Sequence, residues 1–167
     1  MFHLYGLFIG IAIVVGWSVA ERVDARVGRV APWVIGLGVI GARLYHVIDF
    51  WDYYQNDLLL ILKIWEGGLS IWGAIMGGLV GWWSARGDLA MLSAIVTGLP
   101  LAQAVGRIAN GVNGEFGQLV WGVPWWGMEA GLDLVLFGLI CLTKRQYRVI
   151  CYLVGYGLIR LVLSPYR

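Results

Sequence analysis

This sequence has little charge for its length. Asp, Glu, Lys and Arg make up 13% of its 167 residues against 60% hydrophobic ones, and the mean hydropathy is +0.77. Soluble domains sit near one half apolar and one quarter charged. A chain this short has too little interior to hide the excess, because the buried fraction of a fold rises only slowly with size. A water-soluble globule is therefore excluded, and the lipid bilayer is the solvent. The net charge of +2 is too small to support a nucleic-acid partner. Cysteine is scarce too: Cys141 and Cys151 lie in or beside apolar stretches, with no zinc-like spacing. A disulfide or half a metal site fits that spacing, but two inert buried thiols fit it better. Histidine occurs only as His3 and His46. With no metal cluster and no nucleotide-binding loop, no cofactor is expected.

What is abundant is apolar length, glycine and tryptophan. A hydrocarbon core of about 30 Å needs about 20 apolar helical residues. Six segments approach this, at residues 4–20, 30–50, 70–84, 89–108, 131–143 and 149–163. The fold class expected is an all-α polytopic transmembrane bundle, a single domain over residues 1–167. The first run lacks a basic leader and a small-x-small cleavage site, so it reads as a retained helix. Arg22, Arg26 and Arg29, then Arg86, then Lys144, Arg145 and Arg148 follow alternate spans. By the positive-inside rule these loops face the cytoplasm, which puts both termini and the reduced loops at 51–68 and 110–129 outside. Ten Trp suit a protein with interfacial belts. Gly73, Gly77 and Gly81 recur every four residues, a spacing that lets helices approach closely in lipid. Plain packing is a sufficient reading of them.

A few ionisable groups sit where lipid makes them costly. Arg43 lies within the second span, Arg107 at the outer end of the fourth and Arg160 within the sixth. Glu66, Glu115 and Glu129 lie on the outer side, with Asp133 just inside the fifth span. Two readings of Arg43 stand level: a structural pair with Asp133 or Glu129, or a ligand site. Arg107 and Arg160 can snorkel to headgroups without any chemistry. The surroundings of Arg107 favour function. In Gly106-Arg107-Ile108-Ala109-Asn110-Gly111-Val112-Asn113-Gly114-Glu115 a helix ends in a run of Gly and Asn around an arginine. A guanidinium fork and free backbone amides together suit a phosphate.

That segment resembles the signature of the bacterial prolipoprotein diacylglyceryl transferases, G-R-x-G-N-x-x-N-x-E. Gly106, Arg107, Asn110, Asn113 and Glu115 match it, and Ala109 replaces the second glycine. Other pieces follow in the family's order: Tyr5-Gly6, Gly41-Ala42-Arg43-Leu44, Asp52-Tyr53-Tyr54 and Ile64-Trp65-Glu66-Gly67-Gly68-Leu69-Ser70. Pro124 with Glu129 fits H-P-x-x-L-Y-E, and Gly155-Tyr156-Gly157-Leu158-Ile159-Arg160 fits the late arginine helix. The likeness covers nearly the whole chain. Departures are Trp72 where many members have His, Val123 for the His of H-P-x-x-L-Y-E, Gly117 one place early and Ser164 for an acid. The chain also stops at Arg167, before the family's seventh span, as a fragment or a minimal member would.

The resemblance implies transfer of a diacylglyceryl group from phosphatidylglycerol to the lipobox cysteine thiol of a prolipoprotein, in the bacterial inner membrane. Its partners would be phosphatidylglycerol, prolipoprotein signal peptides and the lipid bilayer, with the active site toward the outer leaflet. Arg107, Arg160 and Glu115 are the catalytic candidates; Tyr5, Arg43, Ser70, Asn110, Asn113 and Glu129 are the substrate-binding ones. The arginines would stabilise the departing phosphate, while Glu115 and Glu129 would accept the thiol proton or orient the arginines. Two rivals remain. One is a catalytically silent relative that binds lipid or signal peptides, consistent with Trp72 and Ser164. The other is a small anion or lipid transporter, against which no internal repeat shows.

Overall fold

The computed structural model describes residues 4–64, 68–115 and 117–166. Seven α-helices appear among them: α1 (Leu4–Val23), α2 (Val27–Asp49), α3 (Trp51–Tyr54), α4 (Ile71–Ser84), α5 (Leu89–Val112), α6 (Trp125–Leu142) and α7 (Arg148–Leu163). Within the described residues, five helical stretches are long and apolar enough to cross a membrane: Gly6–Val23, Val27–Asp49, Leu89–Val112, Trp125–Leu142 and Arg145–Leu163. The chain is an all-α polytopic membrane protein. The third expected span, at 70–84, is α4, whose 14 residues reach about 21 Å at 1.5 Å per residue. One expectation shifts. The fifth starts at Trp125 rather than 131, so Glu129 stands in a helix and not in a loop.

The early start of α6 has a local cause. Strands β1 (Leu119–Val120) and β2 (Val123–Pro124) pair antiparallel across Trp121 and Gly122, with φ of 50° and 84°. Two successive positive φ values make the tight hairpin turn that glycine favours. Pro124 then caps α6 at a position where its missing N–H costs nothing. Trp125 N donates to Gln118 O at 2.8 Å, tying the helix start back to the hairpin.

The chain divides into two compact units, Met1–Val27 with Leu89–Arg167, and Gly28–Asp88. In the first, α1 packs on α5, α5 on α6 and α7, and α6 on α7. Gly16 and Gly98 mark a close α1–α5 approach: a Cβ on Gly98 would stand 2.0 Å from Gly16 O, and one on Gly16 3.1 Å from Gly98 O. In the second, Gly73, Gly77 and Gly81 of α4 face the Gly41, Leu37 and Trp33 carbonyls of α2, leaving no room for a side chain. Lipid gives apolar helices no hydrophobic reason to associate, so close backbone contact through small residues does that work.

One end of the first unit is tied by charge. Asp24 takes a forked contact from Arg26, with Nε to Oδ1 at 3.0 Å and NH2 to Oδ2 at 2.8 Å, and pairs with Arg145 across the fold. Arg145 also donates to Ala90 O at 3.0 Å, and Ser93 Oγ donates to Arg145 O at 2.6 Å. The ends of α1 and α5 and the turn before α7 thus share one polar knot. The Arg26 hydrogen bond, with help from Arg145, holds the Asp24 carboxyl well below the usual carboxylate range.

Two outcomes are expected. Gly77→Val forces α4 off α2 and lowers stability by about 1–3 kcal/mol in detergent unfolding, the usual cost of overpacking. Because the folded pKa of Asp24 is depressed, its stabilisation is complete above the unfolded value of about 3.9 and fades as pH falls through the folded one. The melting-temperature gap between wild type and Asp24→Asn should stay constant from neutrality to about pH 5 and shrink below about pH 4.

Candidate functional site

Three helices of the first unit bring Arg107 (α5), Glu129 (α6) and Arg160 (α7) together. Glu129 is fully buried, while the arginine side chains are 22% and 29% exposed. Arg160 NH1 donates to Glu129 Oε1 at 3.2 Å. Arg107 Nε stands 3.0 Å from Oε2, close enough for an ion pair though off the hydrogen-bond line. Beneath both forks lies the buried indole of Trp125, its ring centroid 5.5 Å from Arg107 Cζ and 5.9 Å from Arg160 Cζ. The ring adds a cation–π attraction to each guanidinium. Trp125 Nε1 donates to Leu163 O at 3.1 Å, so α6 and the end of α7 hold the floor in place.

A second cluster adjoins the first. Helix α5 closes with Glu115 N on Asn110 O (2.8 Å) and Gly114 N on Gly111 O (3.1 Å), with Gly114 at φ +75°. This is the Schellman closure, in which the left-handed residue is glycine because a Cβ would be strained there. It folds Glu115 back over the helix end, where Asn110 Nδ2 reaches Oε2 and Asn113 Nδ2 reaches Oε1, each at 2.6 Å. Asn110 Oδ1 in turn lies 3.4 Å from Arg107 NH1. The signature residues thus form a chain from exposed Glu115 to buried Glu129. Each guanidinium has five N–H groups. Among the described residues, Glu129 and Asn110 engage only some of them, which leaves both forks donors for an anion.

Arg43 and Ser70 belong to the second unit. Arg43 is buried and donates Nε to Ile61 O (2.8 Å), NH1 to Gly68 O (2.9 Å) and NH2 to Lys63 O (3.3 Å) and Leu60 O. Its plane lies over Tyr54 at 5.2 Å. These partners are main-chain carbonyls of its own unit, so Arg43 clamps the segment after α3. Gly68, at φ +73°, admits that fork because a Cβ there would come within 2.5 Å of Arg43 NH1. Ser70 caps the start of α4 and donates its N–H to Ala42 O at 3.0 Å. His46 shares a 3.1 Å hydrogen bond with Tyr54 and stacks on Phe50. The Tyr5 side chain, His3 and Glu66 lie outside the described residues. Among the described residues, no three His, Cys, Asp or Glu side chains are placed to hold a metal ion.

Sequence reasoning missed Trp125 and the inward face of Asp133. The signal was present: Trp125, Glu129 and Asp133 recur every four residues, followed by buried Leu136 and Ile140, one continuous helix stripe. Glu129→Gln leaves two cations without their counter-charge. Breaking a buried pair costs about 3–5 kcal/mol, and the low end is expected because the arginines are partly exposed. Denaturant unfolding in detergent reads it; an unchanged midpoint would remove Glu129 as the holder of the two forks.

The family described as prolipoprotein diacylglyceryl transferase matches residues 1–167. A phosphatidylglycerol–prolipoprotein diacylglyceryl transferase of Frankia alni is 39% identical over 136 residues, which are 72% of this chain and 36% of that protein. Enzymes of the same name from Streptomyces coelicolor (39% over 137 residues; 74% and 40%) and Rhodococcus jostii (40% over 141 residues; 75% and 39%) are similar. The chain spans about two fifths of the length of these relatives. With a match that runs from its first residue to its last, the chain belongs to the prolipoprotein diacylglyceryl transferase family.

Proposed function

We propose that this chain transfers the diacylglyceryl group of phosphatidylglycerol to the cysteine thiol of a prolipoprotein, as the names of its relatives describe for them. The observation that carries this reading is the pair of arginine forks fixed by one buried carboxylate over an indole floor. Fixed guanidinium groups match phosphate oxygens in pairs and stay charged at any physiological pH. The thiol sulfur forms a bond to the glyceryl carbon, the carbon–oxygen bond to phosphate breaks, and glycerol phosphate departs with the electron pair. Charge therefore grows on the phosphate as the bond breaks, and donors already aimed there stabilise the transition state more than the ground state.

The remaining residues take supporting roles. Glu129 keeps two like-charged forks together; Asn110, Asn113 and Glu115 hold the helix end and steer Arg107. Tyr5 and Ser70 would meet the lipid or peptide at the outer face. The polar knot supports a reading of the bilayer orientation: Ser93 and Arg107 lie 14 residues apart on α5, about 21 Å along its axis. With the basic knot at the cytoplasm, the arginine site stands toward the outer leaflet of the bacterial inner membrane, where prolipoprotein signal peptides emerge and both termini lie. The rival silent relative shares the lipid site but performs no transfer, and the transporter rival would move anions or lipid across vesicles.

The test is reconstitution in phosphatidylglycerol vesicles with a lipobox peptide, read by mass spectrometry for a diacylglyceryl adduct on the cysteine. Arg107→Ala is expected to lower the rate by about 100-fold or more, as loss of a transition-state donor does. Arg160→Lys should also lose activity, because an ammonium cannot reproduce the fork. Folded wild-type protein that binds the lipid and makes no adduct would hand the assignment to the silent relative.

A further inference from the structure

The proposed transfer leaves one step without an owner. A thiol with a pKa near 8.5 is mostly protonated at neutral pH, so something must take its proton. The acids and bases already described are engaged. Glu129 holds two guanidinium groups, Glu115 holds two asparagine amides, and His46 is bonded to Tyr54 in the other unit. Protonating Glu129 would release the forks that the phosphate needs.

Asp133 is not engaged. It is fully buried, and among the described residues neither carboxyl oxygen has a hydrogen-bond partner. A buried carboxyl without partners is expensive, and buried polar groups are nearly always satisfied. It sits one helical turn from Glu129 on the same buried face of α6, about 6 Å further along the axis. The ionisable groups that face it are Glu129 on its own helix, Arg107 from α5, and Arg160 and Tyr152 from α7; the strands that pack on α6 contribute none. Gln103, one turn inward from Arg107, donates Nε2 to the Tyr152 hydroxyl at 3.0 Å and buries an Oε1 that also lacks a partner. The polar strip thus continues inward past the arginine pair and ends on unsatisfied acceptors.

We propose that Asp133 accepts the proton of the substrate cysteine thiol, as the general base of the transfer assigned above, on which this inference rests. The S–H bond breaks to the Asp133 carboxylate as sulfur bonds to the glyceryl carbon and glycerol phosphate leaves with the carbon–oxygen pair. The acid then passes its proton to the departing phosphate or to water at the outer face. Charge is conserved in this step: Asp133 loses its negative charge as it takes the thiol proton, and the departing phosphate gains one, at the end of the polar strip where Arg107 and Arg160 stand.

The experiment compares wild type and Asp133→Asn in phosphatidylglycerol vesicles, using a lipobox peptide with cysteine and the same peptide with selenocysteine. A selenol is already ionised at neutral pH and needs no base. On the cysteine peptide at pH 7 the variant should be about 100- to 10,000-fold slower, the range for loss of a general base. That gap should close as pH rises toward the thiol pKa, near 8.5. On the selenocysteine peptide the variant should stay within a few-fold of wild type. Equal slowing on both peptides at every pH, or no slowing on either, would overturn the proposal. Should Asp133→Asn not fold, Asp133→Leu takes its place, since an apolar side chain suits a buried site better than an unpaired acid; failure of both to fold would make the residue structural and overturn the proposal too. Absence of adduct from wild type with either peptide would instead sink the transferase reading itself.

Discussion

Two guanidinium groups cannot be held near one another in a low-dielectric setting without a counter-charge, and Glu129 supplies it. Its two oxygens each face a different arginine, one from α5 and one from α7, so a single carboxylate fixes the relation of three helices. Full burial of that carboxylate makes the arrangement obligatory, since an ionised acid with no cation beside it would cost several kcal/mol. The Trp125 ring serves the same end from below, facing both cations while its N–H satisfies a carbonyl at the end of α7. The clamp thus costs the protein two ionised arginines and yields a cationic surface fixed before any anion arrives. Preorganised donors of this kind need no rearrangement when charge develops.

The chain contains two solutions to the problem of an arginine at membrane depth, and they differ in what remains of the fork. Arg43 spends its N–H groups on four loop carbonyls and stacks on Tyr54. It is a rivet for the segment that follows α3. Among the described residues, Arg107 and Arg160 meet one shared acid and one asparagine oxygen, and keep donors in hand. Insertion cost alone flags all three residues equally. What separates them is the number of acceptors the surrounding chain brings to each, and that is a property of the folded backbone.

This explains what the sequence disclosed and what it withheld. Hydropathy located the long helices, because bilayer thickness demands apolar length. Glycine spacing marked the α2–α4 contact, because the backbone must approach where lipid gives no other drive. The Asn113-Gly114 pair announced the end of α5. The role of Arg43 stayed open, since its partners are main-chain carbonyls that carry no residue identity. The start of α6 was placed six residues late for a related reason: Trp125, Trp126 and Glu129 read as interfacial and polar, and only the hairpin behind them shows that the helix has begun. Family likeness ranked Arg107, Arg160 and Glu115 as catalytic and Tyr5, Arg43, Ser70, Asn110, Asn113 and Glu129 as substrate-binding, yet Asp133 belonged to none of the matched pieces. Its fourfold spacing from Trp125 and Glu129 was the available signal.

Fixed cations and mobile protons make opposite demands on a site. A guanidinium steadies departing phosphate because its charge does not change, and for the same reason it cannot carry a proton. A carboxylate locked between two guanidiniums is equally unsuited, since protonation would dissolve the clamp. A helix resolves the conflict cheaply: positions four apart share a face, so one turn gives a second acid near enough to feel the same charges and far enough to be free of them. Glu129 and Asp133 stand in that relation, one saturated and one without a partner among the described residues. The division places charge stabilisation at the partly exposed end of the polar strip and the spare acceptor at its buried end.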